Sequence, residues 1–178
     1  MTVESEIGQR PVDRQAALAV AHYARLRRLC QLLLRDREEA EEVVQDVFVK
    51  VCEVDGASAA PRDWAAWLTR VTVNACRDRR RAGWWVRFRH RSSPIQDMAL
   101  PSLGPGPLDV AVNGEIRRKI WAAFRQLPRR QREAFVLRYI EEYSTDDAAA
   151  ILGVSPGSVK RHLFRAIRHI RAALGQTL

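Results

Sequence analysis

Residues 144–174 read STDDAAAILGVSPGSVKRHLFRAIRHIRAAL, and the punctuation of this stretch decides the fold. Ser144 is suited to cap a short helix, TDDAAAIL, because its side-chain oxygen can accept from a free backbone N–H of the first turn. Asp146 and Asp147 then sit where the helix dipole favours negative charge. Gly153 breaks that helix and Val154 follows. Ser155 caps the next helix, with Pro156 at its first position, where the missing N–H costs nothing. The second helix should run to about Leu174. Val159, Leu163, Ala166, Ile167, Ile170 and Leu174 form one apolar stripe along it, and Ser158, Arg161, Arg165 and Arg168 face the other way. Helix, glycine turn and basic helix make a helix-turn-helix, whose second helix enters a major groove N-terminus first. Two antiparallel helices joined by glycine occur in many bundles, but an Arg-lined second helix without an acid favours DNA.

The same charge signature extends outward. Residues 148–178 carry five basic residues and no acid; residues 77–91 carry seven Arg and one Asp. Between 36 and 55 the sign reverses, with eight acidic residues against Arg37 and Lys50. The 178 residues total +9, with a pI near 10.4, which points to a polyanionic partner. Apolar residues at 47% and charged residues at 29% are the composition of a folded chain. No apolar run approaches the ~20 residues that span a bilayer, and MTVESEIGQRPVDRQ at the start lacks a secretory pattern, so no membrane insertion and a cytoplasmic location are expected. Cys30, Cys52 and Cys76 are too few and too scattered for a disulfide framework and read as packed thiols. The four His show no ligand spacing, and no nucleophile, phosphate-loop or metal motif appears. Neither an enzyme nor a cofactor is expected.

Residues 92–107, SSPIQDMALPSLGPGP, hold four Pro and two Gly and divide the chain with a linker over 92–110. Fully extended at ~3.3–3.6 Å per residue, such a linker reaches roughly 65 Å, about two turns of duplex. All convincing elements have helical period, so the fold class is all-α: five or six helices before the linker's end and four after it. Asp13 is a plausible first N-cap.

Two helices of the first half carry chemistry. Along 37–53, Ala40, Val43, Val44, Val47, Phe48 and Val51 share a core-facing side; Glu38, Glu42, Gln45, Asp46, Val49 and Glu53 share the other. Val49 is an apolar residue inside an acidic face, either a stray exposed valine or the centre of a protein-binding patch with a charged rim. Along 63–81, Trp64, Trp67, Leu68, Val71 and Ala75 are expected to pack inward. Arg70, Asn74, Arg77 and Arg81 line the opposite side, where guanidiniums can bind phosphates and the Asn74 carboxamide can meet a base edge. A stripe that merely solubilises the helix is the alternative. Next, Trp84, Trp85 and Phe88 interleave with Arg87, Arg89 and Arg91, a pairing that grips melted nucleic acid or, equally, closes the bottom of the first core.

With these residues in view, the chain resembles the extracytoplasmic-function (ECF) sigma factors of bacterial RNA polymerase, in the sigma-70 family. AEEVVQDVFVKV (40–51) looks like region 2.2, WLTRVTVNACRD (67–78) like the end of region 2.3 running into 2.4, and residues 127–174 like region 4. The resemblance implies a region 2 domain over 1–91, the linker, and a region 4 domain over 111–178. It implies docking of Glu42, Gln45, Asp46 and Val49 on the coiled coil of the polymerase β′ subunit. It implies reading of the promoter −10 element by Arg70, Asn74, Arg77, Asp78 and Arg81, and of the −35 element by Ser155, Ser158, Lys160, Arg161 and Arg165. Partners so implied are core RNA polymerase (β′ coiled coil and β flap), promoter DNA and, in many such systems, an anti-sigma factor. Ala148, Ala150 and His162 depart from the residues usual at their positions, and the Trp84–Trp85 pair is no family signature.

Overall fold

The computed structural model describes residues 11–55, 61, 63–86 and 109–175. The chain divides into two compact units, Met1–Pro94 and Ile95–Leu178. All regular structure among the described residues is helical.

The first unit holds α1 (Pro11–Leu34), α2 (Arg37–Asp55) and α3 (Trp64–Val86). Among the described residues of this unit the helices are three long ones rather than many short ones, because no glycine or proline interrupts 12–34 or 37–55. Asp13 lies inside the first turn of α1, which starts at Pro11, so it is not the cap. Side chains do the capping elsewhere: Asp36 Oδ1 accepts from the Glu39 amide at 3.0 Å, and Asp63 Oδ1 from that of Ala66 at 3.0 Å. At the end of α1 the Arg80 guanidinium donates to the carbonyls of Leu33 and Leu34, satisfying acceptors the helix leaves open.

The core between these helices is built from Leu26, Leu29, Cys30 and Leu33 of α1, Ala40, Val43, Val44, Val47 and Val51 of α2, and Leu68, Val73 and Cys76 of α3. Each such Leu or Val stabilises by about 1.5–3 kcal/mol relative to exposure. The stripe expected on α2 is the observed one, with Phe48 half-buried at its edge. On α3 the buried side is turned by about one residue from expectation. Trp64, Trp67, Val71 and Ala75 are half-buried, whereas Thr69, Thr72 and Cys76 lie fully inside with Leu68. Thr69 can be there because its hydroxyl donates to the Ala65 carbonyl at 2.9 Å and accepts from Arg25 at 3.0 Å.

The second unit contains α4 (Asp109–Gln126), α5 (Arg129–Phe135) continued by a π-helical turn (Val136–Ile140), α6 (Thr145–Leu152) and α7 (Pro156–Gly175). Asp109 and Val110 already belong to α4; residues 92–108 of the expected linker lie outside the described residues, as do Arg87, Phe88, Arg89 and Arg91 and the side chains of Trp84 and Trp85. Arg132 is buried at the α4–α5 corner, donating to the carbonyls of Leu127 at 2.7 Å and Arg125 at 3.4 Å. Its neighbour Glu133, equally buried, accepts from Arg129 at 2.8 Å and Arg130 at 3.4 Å. Buried charges persist only when paired and hydrogen-bonded in this way.

Candidate nucleic-acid and protein interfaces

In the second unit the helix-turn-helix forms as its punctuation dictates. Ser144 has extended backbone (φ −60°, ψ 164°) and its Oγ accepts from the Asp147 amide at 3.1 Å, a cap worth about 1 kcal/mol. Gly153 is left-handed (φ 65°, ψ 41°) and returns its N–H to the Ala149 carbonyl, a conformation that costs glycine little. Ser155 Oγ accepts from the Ser158 amide at 3.2 Å and lies 3.0 Å from the Ser158 hydroxyl. Helix α7 then buries Val159, Leu163, Ala166 and Ile170, with Ile167 and Leu174 half-buried beside them. Ser155, Lys160, Arg161, Arg165 and Arg168 are exposed; Ser158 is half-buried and turned toward Ser155.

The sequence reading passed over Phe164. It is 65% exposed on the outward face of α7, with the Arg168 guanidinium 6.0 Å from its ring centroid. Its signal was positional: it falls one turn after Arg161 and one before Arg168, opposite the buried stripe. His162 flanks the same face. Burial first, then the nearby Arg130, Arg165 and Arg161, hold its ring below the usual value, while Glu133 pulls the other way. Because the unfolded chain takes up this proton first, the ring's contribution to stability is full above pH about 6.5 and is lost as pH falls toward the lower folded value. The thermal midpoint of His162→Asn should therefore fall less than that of the unaltered chain between about pH 7 and pH 5. Parallel profiles for the two proteins would show that His162 carries none of the acid sensitivity.

In the first unit, Arg70, Asn74, Asp78 and Arg81 are exposed along α3 and Arg77 is half-buried. The other two arginines of the run are committed internally. Arg80 caps α1, and Arg79 forms an ion pair with Glu42 of α2. Arg81 and Asp78 stand 3.8 Å apart, an exposed pair of little energetic weight. On α2, Glu42, Gln45, Asp46, Val49 and Glu53 are all exposed, Val49 at 58%. An open groove of about 450 Å³ separates α2 from α3, and Asp46, Val49, Lys50, Glu53, Asp78 and Arg79 line it. The structure thus brings Asp46 and Val49, expected to meet protein, to the same groove as Asp78, expected near DNA. Lys50 and Arg79 were not anticipated there.

Among the described residues no cluster of His, Cys, Asp or Glu could hold a metal ion, and no helix is long and apolar enough to cross a membrane. A three-helix unit with an acidic second helix and a basic third, followed by a helix-turn-helix unit, defines a two-part helical protein of the transcription machinery. Residues 18–86 match the family Sigma-70 region 2, and residues 117–170 match Sigma-70, region 4. The chain is 30% identical over 154 residues to ECF RNA polymerase sigma factor SigM of Mycobacterium tuberculosis, spanning 86% of this chain and 74% of that one. It is 28% identical over 160 residues to RNA polymerase sigma factor CarQ of Myxococcus xanthus, spanning 89% and 88%. Among solved structures, sigma factor RpoE in complex with anti-sigma factor NepR from Bartonella quintana shares the fold, with a TM-score of 0.67 and 24% identity, covering 92% of this chain and 97% of that one. The chain belongs to the ECF RNA polymerase sigma factors. Its function is promoter-directed transcription initiation.

Proposed function

We propose that the two units divide that task by charge. The acidic outer face of α2, with Glu42, Gln45, Asp46 and Val49, docks on the β′ coiled coil of core polymerase. The α3 face carrying Arg70, Asn74, Arg77, Asp78 and Arg81 engages the −10 element and aids its opening. Helix α7 enters the −35 major groove, Ser155, Ser158, Lys160, Arg161 and Arg165 meeting DNA, while its unit also meets the β flap. Residues 1–91 and 109–178 act as the two domains, with 92–108 as the strap between them. The polymerase supplies all catalysis, in the cytoplasm. An anti-sigma factor is a further partner of the chain, as NepR is in complex with the solved relative RpoE.

The observation that carries this reading is α7: capped at Ser155, free of acids, with Lys160, Arg161, Phe164 and Arg165 all exposed opposite the buried Val159, Leu163 and Ala166. A helix presented in this way meets DNA phosphates and base edges together. The test is in vitro transcription with purified core polymerase on genomic DNA of the source organism. RNA should start at defined positions only when chain and polymerase are both present. Binding to DNA without polymerase, and no defined starts with it, would instead indicate a free-standing helix-turn-helix regulator.

A further inference from the structure

Helices α1 and α3 are tied at two levels by arginines. Near one end, Arg25 of α1 donates to the Thr69 hydroxyl at 3.0 Å and to the Ala65 carbonyl at 3.4 Å. Near the other, Arg80 of α3 donates to Leu33 and Leu34. Residue numbers rise together on both helices, so they run parallel, and the two ties set their register. Midway between them that register puts Cys30 opposite Cys76. Both are fully buried and free, and their side chains are hydrogen-bonded to each other. Each lies on the inward stripe of its helix, Cys30 one turn after Leu26 and Cys76 one turn after Thr72, so the two thiols face each other across one core layer.

We propose that Cys30 and Cys76 form a latent disulfide site that, on oxidation, staples α1 to α3 in their existing register. With hydrogen peroxide as oxidant, one thiol takes up an oxygen to become a sulfenic acid as the O–O bond breaks, releasing one water. The second thiol then attacks that sulfur, forming the S–S bond and releasing the other water. Two thiols are oxidised by two electrons and one molecule of hydrogen peroxide is reduced. The hydrogen bond to Cys76 and burial both push the Cys30 thiol up, keeping it protonated and slow to react. Reaction therefore waits on local opening of α1 from α3, after which the arginine ties return the sulfurs to each other. The exposed Cys52 on α2 is in a position to react sooner but has no facing thiol in this layer.

The test uses the full chain with Cys52→Ser, so that two thiols remain. After incubation of the folded protein with hydrogen peroxide, the intact mass should fall by two hydrogen atoms, and digestion should yield a reducible peptide joining Cys30 to Cys76. The thermal midpoint should rise by roughly 10 °C and return on adding reductant. Free or singly oxidised thiols, after an exposure that fully oxidises Cys52 in the unaltered chain, would overturn the proposal. So would a cross-link that forms only once the chain is denatured, or one that lowers the midpoint.

Discussion

Replacing Asp46 by Arg should lower affinity for core polymerase by roughly 30-fold or more at physiological salt, with a parallel loss of promoter-directed RNA. Asp46 is exposed on α2, and the buried Val43, Val44 and Val47 point the other way, so the substitution leaves the core of the unit in place. Its effect falls on the partner. Beside Val49, 58% exposed, a carboxylate at the groove rim meets a basic surface favourably, and a guanidinium there sets like charge against like. Gln45→Arg should act in the same direction. Glu42 is a less clean probe, because its removal also releases Arg79 from the ion pair between α2 and α3. Co-purification with polymerase and run-off transcription measure the two losses, with an unchanged thermal midpoint as control. Wild-type levels of both in Asp46→Arg would remove α2 from the docking surface.

What the sequence disclosed, it disclosed where local chemistry dominates. Ser144, Gly153, Ser155 and Pro156 act within one helical turn of themselves, so the helix over 145–152 and the start of the next at Pro156 were readable to the residue. The valine stripe of α2 was legible for the same reason. Its period is unbroken and its opposite face is charged. On α3 the buried side eluded a reading by polarity because threonine counts as polar. Thr69 discharges its hydroxyl within its own helix and onto Arg25, which is a tertiary fact. Arginines were equally opaque one by one. A run of like residues shows net charge but not which members find carbonyls, and Arg80 and Arg132 turn out to cap helix ends while Arg79 holds Glu42. The basic surface left for nucleic acid is accordingly narrower than the charge count implies, and on α7 it is concentrated around Phe164.

That concentration makes α7 the place where base reading and phosphate binding can be separated. Arg161→Ala should weaken binding to the preferred −35 sequence by roughly 1–3 kcal/mol and weaken binding to altered sequences less, so that discrimination falls. Arg161 lies directly opposite the buried stripe, within two turns of the Ser155 cap, and the N-terminal part of such a helix is the part that reaches base edges. A guanidinium there can donate two parallel bonds to one guanine, which alanine cannot. Lys160 is exposed to one side of this line, where a contact with the DNA backbone is expected. Lys160→Ala should weaken binding about equally on every sequence and reduce the slope of log affinity against log salt by about one. Phe164 adds a further distinction, since its exposed ring can pack on a thymine methyl, and Phe164→Ala should lose affinity only where the site presents one. Titrating each variant against duplexes with single −35 substitutions, at several salt concentrations, resolves all three. If Arg161→Ala instead weakens every duplex alike and flattens the salt slope, its guanidinium binds phosphate, and the reading of bases falls to Phe164 and Arg165.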